Sequence, residues 1–362
     1  MMIEALKVEN FKSFHRLNLD KLTRFTLISG ANNVGKSSLL EAIFLLYNVW
    51  NDDLFIRQYK LRRLTGGGQS HSLDWIEFFY NFNDLLEISI QTETSEKTLQ
   101  KILCHMQTVS STIFSGQKKE QGAALDFQAP VGLQNSDRSM MPVMNVEFWE
   151  GGEKQYSRMI YPNMDEIHVN DRDRVPTLNI PSVWIAIPSL IPNGASLFSE
   201  LDVNNQMDIV IDFLRIIEPK IKGLSIGLRG NQNEIYVDIG LKRKLPMKMM
   251  GEAMQRLLLF VLTCAQVKGG IILIDEIENG LHWRIHSQVW RELCQIAKHF
   301  DCQVIATTHS YEFIRGAFEG LNEELQKQFS YIRLDRIQDD IQGKIFHKDE
   351  LDWVFRMNAE VR

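Results

Sequence analysis

The chain has 362 residues, 44% hydrophobic and 24% charged, with a formal net charge of −6 at pH 7. This length has room for a large core and more than one lobe, and the composition is ordinary for a water-soluble globular chain. The charge excludes a globally basic nucleic-acid binder, and the longest apolar run, Leu257 to Val267, is too short and too often interrupted to span a bilayer.

The start, Met1-Met2-Ile3-Glu4, shows no secretory signal. Ile3 to Phe11 alternates apolar and polar residues and predicts a strand. Leu22 to Ser29 predicts a second strand, which runs into Gly30-Ala31-Asn32-Asn33-Val34-Gly35-Lys36-Ser37. Lys36 to Trp50 then predicts a helix, with Leu39, Leu40, Ile43, Leu46 and Tyr47 at helical spacing. A further strand is expected over Leu85 to Ile90. From about 91 to 180 the composition turns to Gln, Ser, Asp and Met. The stretch is read as an inserted lobe, with strands over Met144–Trp149 and Gln155–Tyr161 and an exposed loop over Gln117–Gly122.

Strand character returns at Val183 to Pro188, and Met207 to Ile217 predicts an amphipathic helix ended by Glu218-Pro219. Leu224–Leu228 and Glu234–Gly240 predict a strand pair with a turn at Gly230-Asn231. A long apolar helix is expected from Gly251 to Val267. The strand Ile271–Ile274, a helix from about His282 to His299 and the strand Gln303–Thr307 complete the series. Alternating strands and helices indicate an α/β fold with parallel strands in its central sheet.

Three motifs carry chemistry. The first matches G-x-x-x-x-G-K-[ST], a loop whose glycines let backbone N–H groups and a helix N-terminus face phosphates. Gly30, Asn32, Asn33, Gly35, Lys36, Ser37 and Ser38 are its nucleotide-binding candidates. Lys36 is expected at the β- and γ-phosphates, and Ser37 on Mg²⁺ through its hydroxyl. The second motif is Asp275-Glu276 at the end of an apolar strand, with Asp275 expected on Mg²⁺ and Glu276 as the base that orients the attacking water. The third is His309 after Val304–Thr308, where an imidazole can sense the γ-phosphate by hydrogen bonding. Together they describe an ATP and Mg²⁺ site. His282 and His286 have a zinc-compatible spacing but no third ligand in pattern, so they are read as partly exposed helix histidines. Cys104, Cys264, Cys294 and Cys302 lack CxxC spacing, and reduced thiols in a cytoplasmic protein are expected.

The order of these motifs resembles an ATP-binding-cassette ATPase head. The opening Ile3-Glu4-Ala5-Leu6-Lys7-Val8-Glu9-Asn10-Phe11-Lys12-Ser13-Phe14 is similar to the start of RecF-, SMC- and OLD-type heads. Ile274-Asp275-Glu276-Ile277-Glu278-Asn279-Gly280-Leu281-His282 resembles the corresponding run of OLD-like (overcoming lysogenisation defect) ATPases, as does the ending Asn358–Arg362. The resemblance covers about 1–90 and 181–362, leaving 91–180 as the inserted lobe. It implies a P-loop head with a mixed central sheet and flanking helices, which pairs with a second copy around ATP.

In such pairs a signature segment touches the partner's nucleotide. The matching segment is Met249-Met250-Gly251-Glu252-Ala253-Met254-Gln255-Arg256, which adds Gly251 and Glu252 to the nucleotide-binding candidates. Met250 stands where transporters have serine, and Glu252 where they have the second glycine. The glutamine loop has no clear counterpart, Gln69 being a candidate. No heptad pattern separates Lys36 from Asp275, and no TOPRIM nuclease pattern follows His309. The resemblance therefore implies an ATPase that hydrolyses slowly, as a homodimer or higher oligomer, and regulates a separate effector such as a nuclease in antiphage defence. A RecF-like DNA-binding ATPase and an ATP-bound scaffold with little turnover are the alternatives, and DNA is a further candidate partner. No membrane partner is expected.

Overall fold

The computed structural model describes residues 1–49, 75–110, 140–160, 180–185, 194–229 and 232–357. The expected loop at Gln117–Gly122, the turn at Gly230-Asn231, Gln69 and the ending Asn358–Arg362 lie outside the described residues.

The site is carried by a six-stranded sheet of order β15-β14-β3-β13-β12-β8. Its strands are β3 (Phe25–Gly30), β8 (Ser182–Ile185), β12 (Ile271–Ile274), β13 (Gln303–Thr307), β14 (Phe329–Ile337) and β15 (Asp340–Phe346). Every pairing is parallel except β14 with β15, which gives the mixed sheet expected. β12 and β13 are buried at every position, because a parallel sheet is covered on both faces.

Alternate residues therefore enter two different cores. Ile272 and Ile274 join the core formed with α4 (Glu252–Gln266) and α5 (His286–His299). Ile271 and Leu273 join the core containing Leu39, Leu40 and Ile43 of α1 (Lys36–Tyr47). Two more helices, α2 (Gly194–Val203) and α3 (Met207–Leu214), pack beside α4. α6 (Tyr311–Glu319) lies against α5, and the short α7 (Glu323–Gln326) and α8 (Lys348–Arg356) follow.

A second six-stranded sheet, antiparallel throughout, has the order β2-β1-β4-β5-β6-β7. It comprises β1 (Ile3–Phe11), β2 (Phe14–Asp20), β4 (Ile88–Thr94), β5 (Leu99–Ser110), β6 (Met140–Glu150) and β7 (Glu153–Ile160). The boundary expected near residue 91 thus falls inside β4. The described strands of 91–180 extend the sheet that β1 begins, and Ile102, Val146 and Phe148 enter the core shared with α1. Fully buried Gln303 locks the two sheets together: its Oε1 accepts the Ile3 N–H at 2.8 Å and its Nε2 donates to the Ile3 carbonyl at 2.9 Å. A small antiparallel sheet, β9 (Gly223–Arg229), β10 (Gln232–Asp238) and β11 (Leu245–Pro246), leads into α4. Among the described residues no helix is long and apolar enough to cross a membrane, and all four cysteines are buried as free thiols.

Candidate nucleotide site

The carboxyl ends of β3, β12 and β13 are adjacent because these strands pair directly. The phosphate loop leaves β3 with Gly30 at φ 149° and enters α1 at Gly35, φ 82°. A Cβ at Gly30 would collide with the Leu334 carbonyl, and one at Gly35 with the Ser13 hydroxyl and the Phe14 ring, so both positions demand glycine. Asn33 sits at φ 62°, exposed, and its carbonyl accepts Arg336 Nη2 at 3.0 Å. Asn32 is exposed and Ser38 half-buried.

Lys36 is buried, and its ammonium donates to the carbonyls of Gly30 (2.9 Å) and Ala31 (2.8 Å). Burial pulls its pKa below the ordinary lysine value, while Asp275, Glu276 and Glu278 pull it back up. Ser37 Oγ donates to Asp275 Oδ2 at 2.8 Å. Thr307 Oγ1 donates to the other Asp275 oxygen at 2.5 Å and accepts the Glu276 N–H at 2.9 Å.

Glu276 itself adopts φ 48°, rare for a residue with a side chain. Its carboxylate accepts a hydrogen bond from the Asn279 side chain and stands 3.8 Å from His309 Nε2. The His309 N–H donates to Glu278 Oε1 at 2.6 Å. Arg256 of α4 reaches the same loop, donating to the carbonyls of Asp275, Glu276 and Asn279. Lys36, Ser37, Asp275, Glu276 and His309 are therefore brought together within one chain. Gly251 and Glu252 lie at the exposed start of α4. Gly251 has φ −57° and open space where a Cβ would stand. The glycine-specific backbone expected there is thus not required by the chain itself.

The motifs by themselves give no role to Thr307, Asn279, Glu278 or Arg256. Thr307 lies two residues before His309 and Asn279 three after Glu276, so both were within reach of the motifs. His286 is buried at the start of α5, not partly exposed as expected, because its ring packs 5.0 Å from Phe313. His282 instead caps the turn before α5, its Nδ1 accepting the Arg284 N–H at 3.3 Å.

The donor set fits a nucleotide with Mg²⁺. A hydroxyl and a carboxylate in contact are hard oxygen ligands, and Mg²⁺ at nucleotide sites commonly takes one or two protein oxygens, the rest coming from phosphates and water.

A family described as "AAA ATPase domain" matches residues 1–167. The chain is an ATPase. A second family, described as "AAA domain, putative AbiEii toxin, Type IV TA system", matches this ATPase over residues 157–315. The ATPase is 26% identical over 333 residues to an ATP/GTP phosphatase of Helicobacter pylori, covering 86% of each chain. It is 32% identical over 91 residues to an uncharacterised protein of Methanocaldococcus jannaschii, covering 25% of this chain and 41% of that one. Its fold is similar to the Smc head domain of Pyrococcus furiosus, solved with an extended coiled coil and bound to the C-terminal domain of ScpA. The TM-score is 0.52 at 10% identity, covering 99% of each chain.

Proposed function

We propose that this ATPase is an OLD-like head that pairs with a second copy around ATP and Mg²⁺ and controls a separate effector, a nuclease or toxin, in antiphage defence. The observation that carries the hydrolytic part is the convergence of Ser37, Asp275, Glu276 and His309 at three adjacent strand ends. Ser37 and Asp275 would hold Mg²⁺, which supplies charge neutralisation at the β- and γ-phosphates. Lys36 binds the same phosphates. Glu276 orients water and accepts its proton, and His309 stands beside the carboxylate to hydrogen-bond the γ-phosphate. Phosphoryl transfer is then promoted by positioning and charge.

Pairing is supported by Gly251 and Glu252, exposed at the N-terminus of a 15-residue helix, a place that favours anions. With no neighbour within 4 Å of its Cβ position, Gly251 is free to approach a phosphate of the opposite copy. Support for a defence setting comes from the description "putative AbiEii toxin, Type IV TA system" matched over 157–315, and support for a protein partner from the ScpA domain bound to the Pyrococcus furiosus head. Residues 91–180, which carry none of the nucleotide motifs, are proposed as the surface for partner contact. A cytoplasmic location belongs to this reading.

The test is affinity purification of the tagged chain carrying Glu276→Gln from phage-challenged cells, with ATP present. Co-elution of a nuclease or toxin, and loss of protection on Lys36→Ala, are expected. A chain that elutes alone and protects no cells removes the effector reading. Strongly salt-dependent DNA affinity of the lone chain supports the RecF-like reading instead.

A further inference from the structure

The backbone at Glu276 is the most constrained feature of the site. A glutamate at φ 48° persists only when its surroundings over-determine it. Its N–H is held by the Thr307 hydroxyl and its carboxylate by the Asn279 side chain. Its carbonyl accepts the Asn279 N–H at 3.0 Å, and the Ile277 N–H donates to the Thr307 carbonyl at 3.0 Å. A further restraint, from a different element, is Arg256. Its Nη2 donates to the Asp275 carbonyl at 3.0 Å and the Glu276 carbonyl at 3.2 Å, and its Nη1 to the Asn279 carbonyl at 3.3 Å.

We infer that Arg256 is a positioning residue for hydrolysis, gathering these three carbonyls so that the Glu276 carboxylate faces the reacting water. The inference rests on Glu276 as the base.

The chemistry suits the task. A guanidinium is a planar fork with five N–H donors, able to serve several fixed acceptors at once, whereas an ammonium is a point charge on a flexible stem. The guanidinium is buried, so its bonds are sheltered from water. Its ion-pair partner Glu252 stands 3.9 Å away, and the shorter contacts are the carbonyls. Packing of α4 is carried by other residues, among them Met254, Leu258 and Val261. The side chain also borders a cavity of about 30 Å³ lined by Leu257, Ile274, Ile277 and Asn279. Truncation at 256 would open this cavity into a space shaped for a free guanidinium ion.

The experiment measures steady-state hydrolysis of Mg²⁺-ATP, mant-ATP affinity and thermal unfolding for Arg256→Ala, Arg256→Lys and Glu276→Gln in the full chain. Arg256→Ala is expected to lower kcat by about tenfold or more, with mant-ATP affinity within about twofold of wild type. Millimolar guanidinium chloride is expected to restore part of that kcat and to give nothing to Glu276→Gln. Arg256→Lys is expected to bind mant-ATP normally at reduced kcat, and it decides the matter if the alanine variant does not fold. Wild-type kcat in either Arg256 variant overturns the inference. So does a joint loss of kcat, affinity and melting temperature that guanidinium leaves unrelieved. Wild-type turnover in Glu276→Gln removes the base itself, while lost turnover there beside normal turnover in Arg256→Ala removes only the role of Arg256.

Discussion

The Thr307 hydroxyl donates to Asp275 Oδ1 at 2.5 Å, joining the ends of two parallel strands at the point where the chemistry is concentrated. The same oxygen accepts the Glu276 N–H, so one fully buried hydroxyl orients both acidic residues. Thr307→Val keeps the shape but leaves both groups without that partner. A stability loss of about 1–3 kcal/mol is expected from the unsatisfied polar groups, with a fall in turnover. Denaturant unfolding and ATP hydrolysis check it, and an unchanged midpoint with unchanged turnover would show the hydroxyl to be dispensable.

Lys36→Ala removes the ammonium that lies along the phosphate loop. A hydrogen bond to a charged group is worth about 1.5–3 kcal/mol, so ATP affinity is expected to fall by about 10- to 100-fold. Titration with mant-ATP is the measurement. Wild-type affinity and turnover would count against the loop as the nucleotide site.

Glu276→Gln preserves the shape of the side chain and removes its proton-accepting charge. Turnover is expected to drop by about 10²- to 10⁴-fold while ATP still binds. The paired, ATP-bound form is expected to accumulate in size-exclusion chromatography. Normal turnover with no new assembly would exclude Glu276 as the base.

Gly251→Arg places a long side chain at the exposed start of α4, where the glycine has open space. Binding of ATP by single chains is expected to survive, and ATP-dependent pairing and hydrolysis to fail. Mixing with Lys36→Ala is expected to restore at most one working composite site per pair. Hydrolysis at the wild-type rate by Gly251→Arg would mean that each head works alone.

Burial holds the pKa of His286 below its usual value. The unfolded chain therefore takes up the proton first as the pH falls. Stability is fully present above the unfolded pKa, about 6.5, and is lost as pH falls from there through the lower folded value. His286→Gln keeps a donor for the Leu281 carbonyl, which lies 3.3 Å from Nε2, and does not titrate. Its melting temperature is expected to vary less than that of the wild type between pH 7.5 and pH 5. Parallel curves would assign the acid sensitivity to other groups.

Much of the site was legible in the linear order because each motif carries its own local physics. A strand, a glycine loop and a helix start make a phosphate cradle wherever they occur together, and Asp275-Glu276 and His309 each follow an apolar strand. What was not legible depended on contacts between distant segments. β14 lies beside β3 although about 300 residues of sequence separate them. β5 to β7 continue the sheet of β1, since backbone pairing takes no account of the change in composition near residue 91. Arg256 and Thr307 acquire their roles only because α4 and β13 pack against the end of β12, where a buried guanidinium and a buried hydroxyl must find acceptors. The linear order of residues specifies which chemical groups the chain carries and the strand and helix ends that bear them. Which of those ends meet is a matter of the folded arrangement, because hydrogen-bond geometry is set by three-dimensional packing and not by distance along the chain.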